Sequence, residues 1–465
     1  MAGSAIERGA YNESSLEHLF LDFQQMKEFA RHPLIMKKAE GVWYEDVNGK
    51  KYLDGLSGIF VVNLGHGNRK IIDAMKKQLD ELSFAPPIHS TNLRAIELAD
   101  LISSITPGDL HTVKLFSGGS EATEAAMKLA RQYHKQTGNP QKFKIISLYD
   151  SYHGATMGAL GASGITKRKT IFEPFGPGYL HVFPPTCYRC PYGLNYPECD
   201  ILCARIVEQI VKKEGPETIS AFIIEPIGNT GGIVTPPPGY FEILREICDK
   251  YNILLIFDEI ITGFGRTGEM FAAQTFGTTP DIICMGKAMA SGYAPIGGIV
   301  FSDRVAEAFY GREEEQLHFN HGHTFGGNPL SCAAAIASIS EVRDRDLPRK
   351  AREKGARVVE RLQKLHPNVI GNIRGKGLLI GAEFVKDLKT KEKFDERFKF
   401  GVQVGKAALQ KGVILRFDPD WIAFAPPLII ENNEIDRMMN VFEESLQQVL
   451  ATDNFQKTNS PVSKN

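Results

Sequence analysis

Residues 253–287 read ILLIFDEIITGFGRTGEMFAAQTFGTTPDIICMGK, and two short apolar runs inside this stretch, 253–257 and 282–286, each end at a charged side chain, Asp258 and Lys287. The runs are continuously apolar rather than alternating, as strands are when both faces of their sheet are covered. Three further runs of the same kind stand at 143–149, 221–224 and 296–301. Between two of them, residues 239–252 place Phe241, Leu244, Cys248 and Tyr251 on one helical stripe. Strands alternating with helices imply an α/β fold with a mainly parallel sheet wrapped by helices.

The residues that end these runs carry the chemistry. Run 143–149 leads to Tyr152-His153-Gly154, 221–224 to Glu225-Pro226, 253–257 to Asp258-Glu259 and 282–286 to Lys287. Parallel strands share one carboxyl edge, and ligands bind there, so an aromatic ring, two acids and a lysine are expected around one crevice. Each alone has an ordinary explanation, such as a helix cap for an acid or a solvated lysine. Four strand ends of one sheet are harder to explain that way. Upstream, Ser117-Gly118-Gly119-Ser120 precedes a small-residue helix whose buried stripe is Ala122, Ala125, Ala126, Leu129 and Ala130. Glycines and a serine at a helix start offer backbone N–H groups and a favourable dipole to an anion. No Gly-Lys-Ser/Thr follows, so this is not a nucleotide P-loop. Residues 263–268 match G-x-G-x-x-G, but five residues part them from the strand, and we read them as a tight loop.

The rest of the chain bounds the reading. Lys+Arg number 54 and Asp+Glu 55, a formal charge of −1, which gives no electrostatic reason to expect nucleic acid or a membrane surface as partner. No run approaches the ~18–20 apolar residues of a membrane span, the N-terminus lacks a signal-peptide pattern, and seven cysteines do not suggest a secreted disulfide framework; a cytoplasmic enzyme is expected. There are no internal repeats. The first forty residues read as polar and helical, and Asn48-Gly49 between alternating segments reads as a type I′ hairpin. Beyond about residue 330, charged helical patterns at 342–365 and 395–411 flank short strands, as in a smaller α+β domain. The expected division is therefore 1–65 (an N-terminal segment with the hairpin, part of the small domain), 66–328 (the large domain), 329–452 (the rest of the small domain) and 453–465 (a flexible tail). Cys187, Cys190, Cys199 and Cys203 have spacing compatible with a metal; free thiols or a disulfide are the simpler reading, and no metal is assigned.

Together, LLIFDEIITGFGRTGEMFA (254–272) and PDIICMGKAMASGY (280–293) resemble the signature region of class III aminotransferases, pyridoxal-phosphate enzymes of fold type I. SGGSEA, YHG, EPI, HTFGGNP and the hairpin residues Asp46, Gly49, Tyr52 and Asp54 fall in family order, and the resemblance runs from about residue 30 to 450. It implies that Lys287 carries pyridoxal 5′-phosphate covalently and Asp258 holds the ring nitrogen protonated. Gly119 and Ser120 would take the phosphate, Tyr152 stack on the ring, and Glu225 steady the network at the ring oxygen, with His153 and Ile260 also against the cofactor. Thr324 would reach the phosphate of a neighbouring subunit, implying a homodimer with shared sites; pairing of dimers into tetramers stays open. Members that use 2-oxoglutarate or 4-aminobutyrate usually carry an arginine after the His-Gly and a glutamine after Asp-Glu-Val/Ile, where this chain has Ala155 and Ile261. Arg416 aligns with the mobile arginine of amine:pyruvate and ω-amino acid:pyruvate members. The expected reaction moves an amino group from an amine or ω-amino acid (β-alanine, taurine or a diamine) to pyruvate, with Ile59, Phe60, Phe84, Tyr152, Thr230, His323 and Arg416 around the substrates. A 4-aminobutyrate:2-oxoglutarate aminotransferase or an aminomutase of the same fold is the alternative.

Overall fold

The computed structural model describes residues 16, 18–311, 313–365 and 369–452; the expected tail, 453–465, lies outside them. Seven strands form the central sheet: β1 (Leu110–Phe116), β2 (Lys144–Leu148), β3 (Tyr179–Val182), β4 (Ile219–Ile224), β5 (Leu254–Asp258), β6 (Ile282–Met285) and β7 (Gly297–Ser302). Their spatial order is β1-β7-β6-β5-β4-β2-β3. The β2–β3, β2–β4, β4–β5 and β5–β6 pairs are parallel, whereas β7 runs antiparallel to both β6 and β1. The apolar run 296–301 is therefore the one that breaks the parallel pattern; its start, not its end, lies at the carboxyl edge.

The continuous hydrophobicity of the runs has the expected cause. One face of the sheet, with Ala221, Ile223, Leu254, Ile256, Ile282, Cys284 and Ile299, packs with Ala122, Ala125, Ala126, Leu129 and Ala130 of helix α1 (Gly119–Gln136). The opposite face, with Phe222, Ile224, Leu255, Phe257, Ile283, Met285 and Val300, packs with Phe241, Leu244 and Cys248 of helix α2 (Tyr240–Lys250). Alanines let α1 approach its face closely.

Three sequence expectations about the outer segments change. Among the described residues of the first forty, the α-helix is Met26–Arg31, and a strand, Met36–Glu40, follows it and pairs with Trp43–Asp46; partnership outweighs local propensity there. The hairpin turn is longer than the expected two-residue type I′. Gly49 N–H donates to the Asp46 carbonyl, Gly49 alone is left-handed at φ 80°, and Asp46 N–H donates to the Lys50 carbonyl, the type I turn plus bulge arrangement. The Asp46 carboxylate causes it by accepting from the Asn48 and Lys50 N–H groups at 2.9 Å each. The helical pattern expected at 342–365 is two helices, Pro329–Asp344 and Leu347–Lys364. The break falls at left-handed Asp346, and Pro348 occupies the first turn of the second helix, where its missing N–H costs nothing.

Strand Lys51–Asp54 pairs in parallel with Val413–Ile414, so the N-terminal hairpin and the late chain share a sheet. A third, antiparallel sheet holds Ile370–Lys376, Leu379–Phe384, Trp421–Phe424 and Arg416–Phe417. Among the described residues, no helix is long and apolar enough to cross a membrane.

Candidate active site

The carboxyl edge of the sheet sets the site. Asp258 is the last residue of β5, Glu225 follows β4, Lys287 follows β6 by one glycine, and Tyr152 and His153 lie in the loop after β2. Asp258 is only 4% exposed. Its Oδ2 receives the His153 Nδ1 hydrogen bond at 2.8 Å, and its Oδ1 accepts from the Ile260 N–H at 3.2 Å. His153 is buried, and its Nε2 has no partner among the described residues. Glu225 accepts from the Tyr152 N–H at 2.9 Å and the Asn229 N–H at 3.2 Å. Burial pushes the Glu225 carboxyl up to about 7, against the pull of His153 and those two N–H groups, with Asp258 adding to the rise. Asn229 is a contributor that its sequence gave no reason to single out.

Lys287 is half-buried and its backbone is left-handed at φ 44°, an uncommon conformation for a residue with a side chain. Burial lowers its pKa below the ordinary lysine value; Asp258 and Glu225 oppose that fall. An amine that is partly neutral is what a nucleophilic or proton-carrying lysine requires.

At the other end of the crevice, β1 delivers Ser117 and Gly118 to the start of α1. No side chain caps that helix, so the first N–H groups are not taken by an N-cap side chain. A Cβ on Gly119 would come within 2.8 Å of Ile260 Cδ1, and one on Gly154 within 2.6 Å of Ser120 Oγ. Both glycines thus allow the β5 loop and the β2 loop to close on the helix start. Ser120 Oγ accepts from the Ala155 N–H at 3.1 Å. An uncapped helix start, a buried carboxylate and a desolvated lysine fit a phosphorylated pyridine aldehyde: α1 would hold its phosphate, Asp258 its ring nitrogen and Lys287 its aldehyde.

The remaining residues are spread more widely. Arg416 Nη2 pairs with Asp418 Oδ2 at 2.8 Å, and its guanidinium carbon lies 5.5 Å from the Trp421 ring centre. Thr230 Oγ1 donates to the Asp150 carbonyl at 2.5 Å. Thr230, Asp418 and Trp421 line a cavity of about 790 Å³. Ile59 is 62% exposed, whereas Phe60 is buried in a cluster with Ile227, Ile261 and Trp421 beneath it. Phe84 is 40% exposed and meets Phe325 edge-on at 6.1 Å. Thr324 is exposed. His323 has its partners at the start of α1 and the end of β1, with Nδ1 3.5 Å from Glu121 Oε1 and the ring edge-on to Phe116.

Two strand-adjacent residues prove structural. Glu259, fully buried, accepts from the Ala272 and Ala273 N–H groups and from Thr262, fixing the start of helix Ala272–Phe276. Arg266, inside the glycine-rich loop, is also fully buried. It donates to the carbonyls of Leu378 at 2.9 Å and Pro426 at 2.6 Å, to Ser57 Oγ at 2.8 Å and to Asn63 Oδ1, tying that loop to both the early and the late chain. The loop is tight, as expected, with Gly265 and Gly268 left-handed. Cys187, Cys190, Cys199 and Cys203 line one small cavity as free thiols. Among the described residues, no group of three or more His, Cys, Asp or Glu is placed to hold a metal ion.

The model of the family described as aminotransferase class-III matches residues 25–446. A probable aminotransferase of Mycobacterium tuberculosis is 38% identical over 443 residues, covering 94% of this chain and 94% of that protein. The crystal structure of an (S)-enantioselective ω-transaminase from Thermomicrobium roseum superposes with a TM-score of 0.89 at 38% identity, covering 94% of this chain and 97% of that one. An amine transaminase from an uncultivated Pseudomonas species, solved in its PLP-bound form, gives a TM-score of 0.88 at 32% identity, covering 93% and 98%.

Proposed function

Because the chain belongs to the class III aminotransferases, enzymes that depend on pyridoxal 5′-phosphate, we propose that it moves the amino group of a short ω-amino acid or amine to pyruvate, giving alanine. The observation that carries this reading is the Arg416–Asp418 pair at 2.8 Å. A half-buried arginine held by one carboxylate can exchange that partner for the carboxylate of a keto acid, bidentately, and return to it when the other substrate has no such group. Ala155 supports the same reading. It sits beside Ser120, and its methyl offers no second cation there for a dicarboxylate.

When bound, the cofactor supplies an electron sink that acidifies the substrate carbon bearing the amine. Asp258, oriented by the His153 Nδ1 hydrogen bond, would hold the proton on the ring nitrogen. Lys287, its pKa lowered by burial, would take the proton from the amine-bearing carbon of the donor and, in the reverse half of the reaction, deliver one to the corresponding carbon of the keto acid. Glu225 orients the Tyr152 backbone and through it the ring meant to cover the cofactor. Gly119 and Ser120 would anchor the phosphate by backbone N–H groups and hydroxyl. A homodimer with shared sites is part of this reading. The exposed apolar residues Phe84, Ile88, Leu93 and Phe325 support it, as does the exposed Thr324 beside them.

A donor panel tests the proposal. With β-alanine, taurine, a diamine and 1-phenylethylamine as donors, pyruvate should yield alanine with the ω-amino acids and support faster turnover than 2-oxoglutarate. Preference for 2-oxoglutarate, or for the bulky aryl amine alone, would contradict it.

A further inference from the structure

Arg168 lies on the short helix Thr166–Lys169, shortly after the loop that carries Tyr152 and His153. Its guanidinium carbon is 5.0 Å from the centre of the Tyr152 ring and 4.5 Å from that of Phe23. A guanidinium against aromatic rings is held by its face, while its N–H donors stay at the rim for another partner. Among the described residues, Arg168 forms no ion pair and no hydrogen bond to a carboxylate.

Its surroundings are cationic. Asp418, the partner of Arg416, feels Arg416, Arg168 and Lys167 together, which oppose the rise that burial imposes on its carboxyl. Asp22 also approaches Tyr152. Three cations thus act on the one carboxylate of Asp418. Lys167, the neighbour of Arg168 in the chain, lines the 790 Å³ cavity together with Thr230, Asp418 and Trp421.

The chemistry asks for two anion positions. With the reacting nitrogen or carbonyl fixed at Lys287, the carboxylate of pyruvate or alanine is on the reacting carbon itself. In a β-amino acid or an aminoethanesulfonate the anion is one carbon further out. Arg416 must leave Asp418 to serve either; Arg168 has no carboxylate to leave. The geometry points to Arg168 as a specificity residue that binds the distal carboxylate or sulfonate of an ω-amino acid donor, leaving Arg416 for the carboxylate of pyruvate. This rests on the ω-amino acid:pyruvate reading above.

The test compares holoenzyme with Arg168→Met, which keeps most of the apolar stem and loses the donor fork, and with Arg168→Lys. Donors are β-alanine, taurine and uncharged-tailed propylamine; acceptors are pyruvate and 2-oxoglutarate. Arg168→Met should raise KM for β-alanine and taurine about tenfold to a hundredfold, the loss of a charge-assisted bidentate contact. It should leave kcat, and KM for propylamine and pyruvate, within about threefold, which is near 0.6 kcal/mol. Arg168→Lys should recover part of the loss, since the charge remains. An equal loss with propylamine would make Arg168 a mere support for Tyr152 and overturn the inference, as would no change with any donor. If the wild type instead prefers 2-oxoglutarate and Arg168→Met weakens that substrate, Arg168 stands as an anion receptor while the pyruvate reading falls.

Discussion

The cofactor end and the substrate end of the crevice are built by different means. At the cofactor end, Asp258, Glu225, Lys287 and His153 come from the ends of neighbouring strands in one sheet. Asp258 and His153 are 4% and 1% exposed, and the carboxylates each hold two hydrogen bonds. At the substrate end, Ile59, Phe84, Thr230 and Arg416 come from well-separated segments of the chain, and Ile59 and Phe84 are exposed. A rigid, desolvated end suits groups that must act identically on every substrate, because fixed charges in a dry site need no reorganisation. An open end with exchangeable ion pairs suits the alternation between a keto acid and an amine. Under the proposed function, the chemistry would be fixed where the sheet is, and selectivity would lie where separate segments meet.

Mutations at the two ends should separate accordingly. The largest effect is expected at the cofactor end: Asp258→Asn removes the anion facing the ring nitrogen and should lower kcat about a hundredfold or more for every donor and acceptor alike. It should also weaken cofactor retention, read as loss of the bound chromophore on dialysis. A loss confined to one substrate would break the distinction between the ends. A smaller, selective effect is expected from Arg416→Met. KM for pyruvate should rise about tenfold to a hundredfold, while single-turnover rates with propylamine, which has no carboxylate, change little. Equal loss with propylamine would mean that Arg416 and Asp418 serve the structure of the crevice rather than the keto acid.

The same division decides what the sequence makes legible. Strands buried on both faces announce themselves as continuous apolar runs, and parallel strands bring their ends together, so Asp258, Glu225, Lys287 and His153 can be gathered from spacing alone. Direction within the sheet is less visible: β7 is as apolar as its neighbours, yet antiparallel, because its burial does not depend on its sense. Local turn chemistry also hides in side chains. The Asp46 carboxylate lengthens the hairpin turn, and Asp346 breaks a pattern that reads as one helix. Long-range contacts leave no periodic trace at all. Arg266 looks like part of a nucleotide fingerprint and is instead a buried clamp between distant segments, and its loss of solvent draws its pKa down to about 9. Arg168 stands in an ordinary basic stretch, and only its position over Tyr152 draws it to notice.

If the proposed function holds, the cofactor is carried covalently by Lys287. Borohydride treatment of the cofactor-loaded enzyme, followed by peptide mass mapping, tests it directly. A single pyridoxyl-phosphate adduct is expected on the peptide that contains Lys287, with none in Lys287→Ala. An adduct on a different lysine, or an enzyme that transfers amino groups with no such adduct on any peptide, would contradict it.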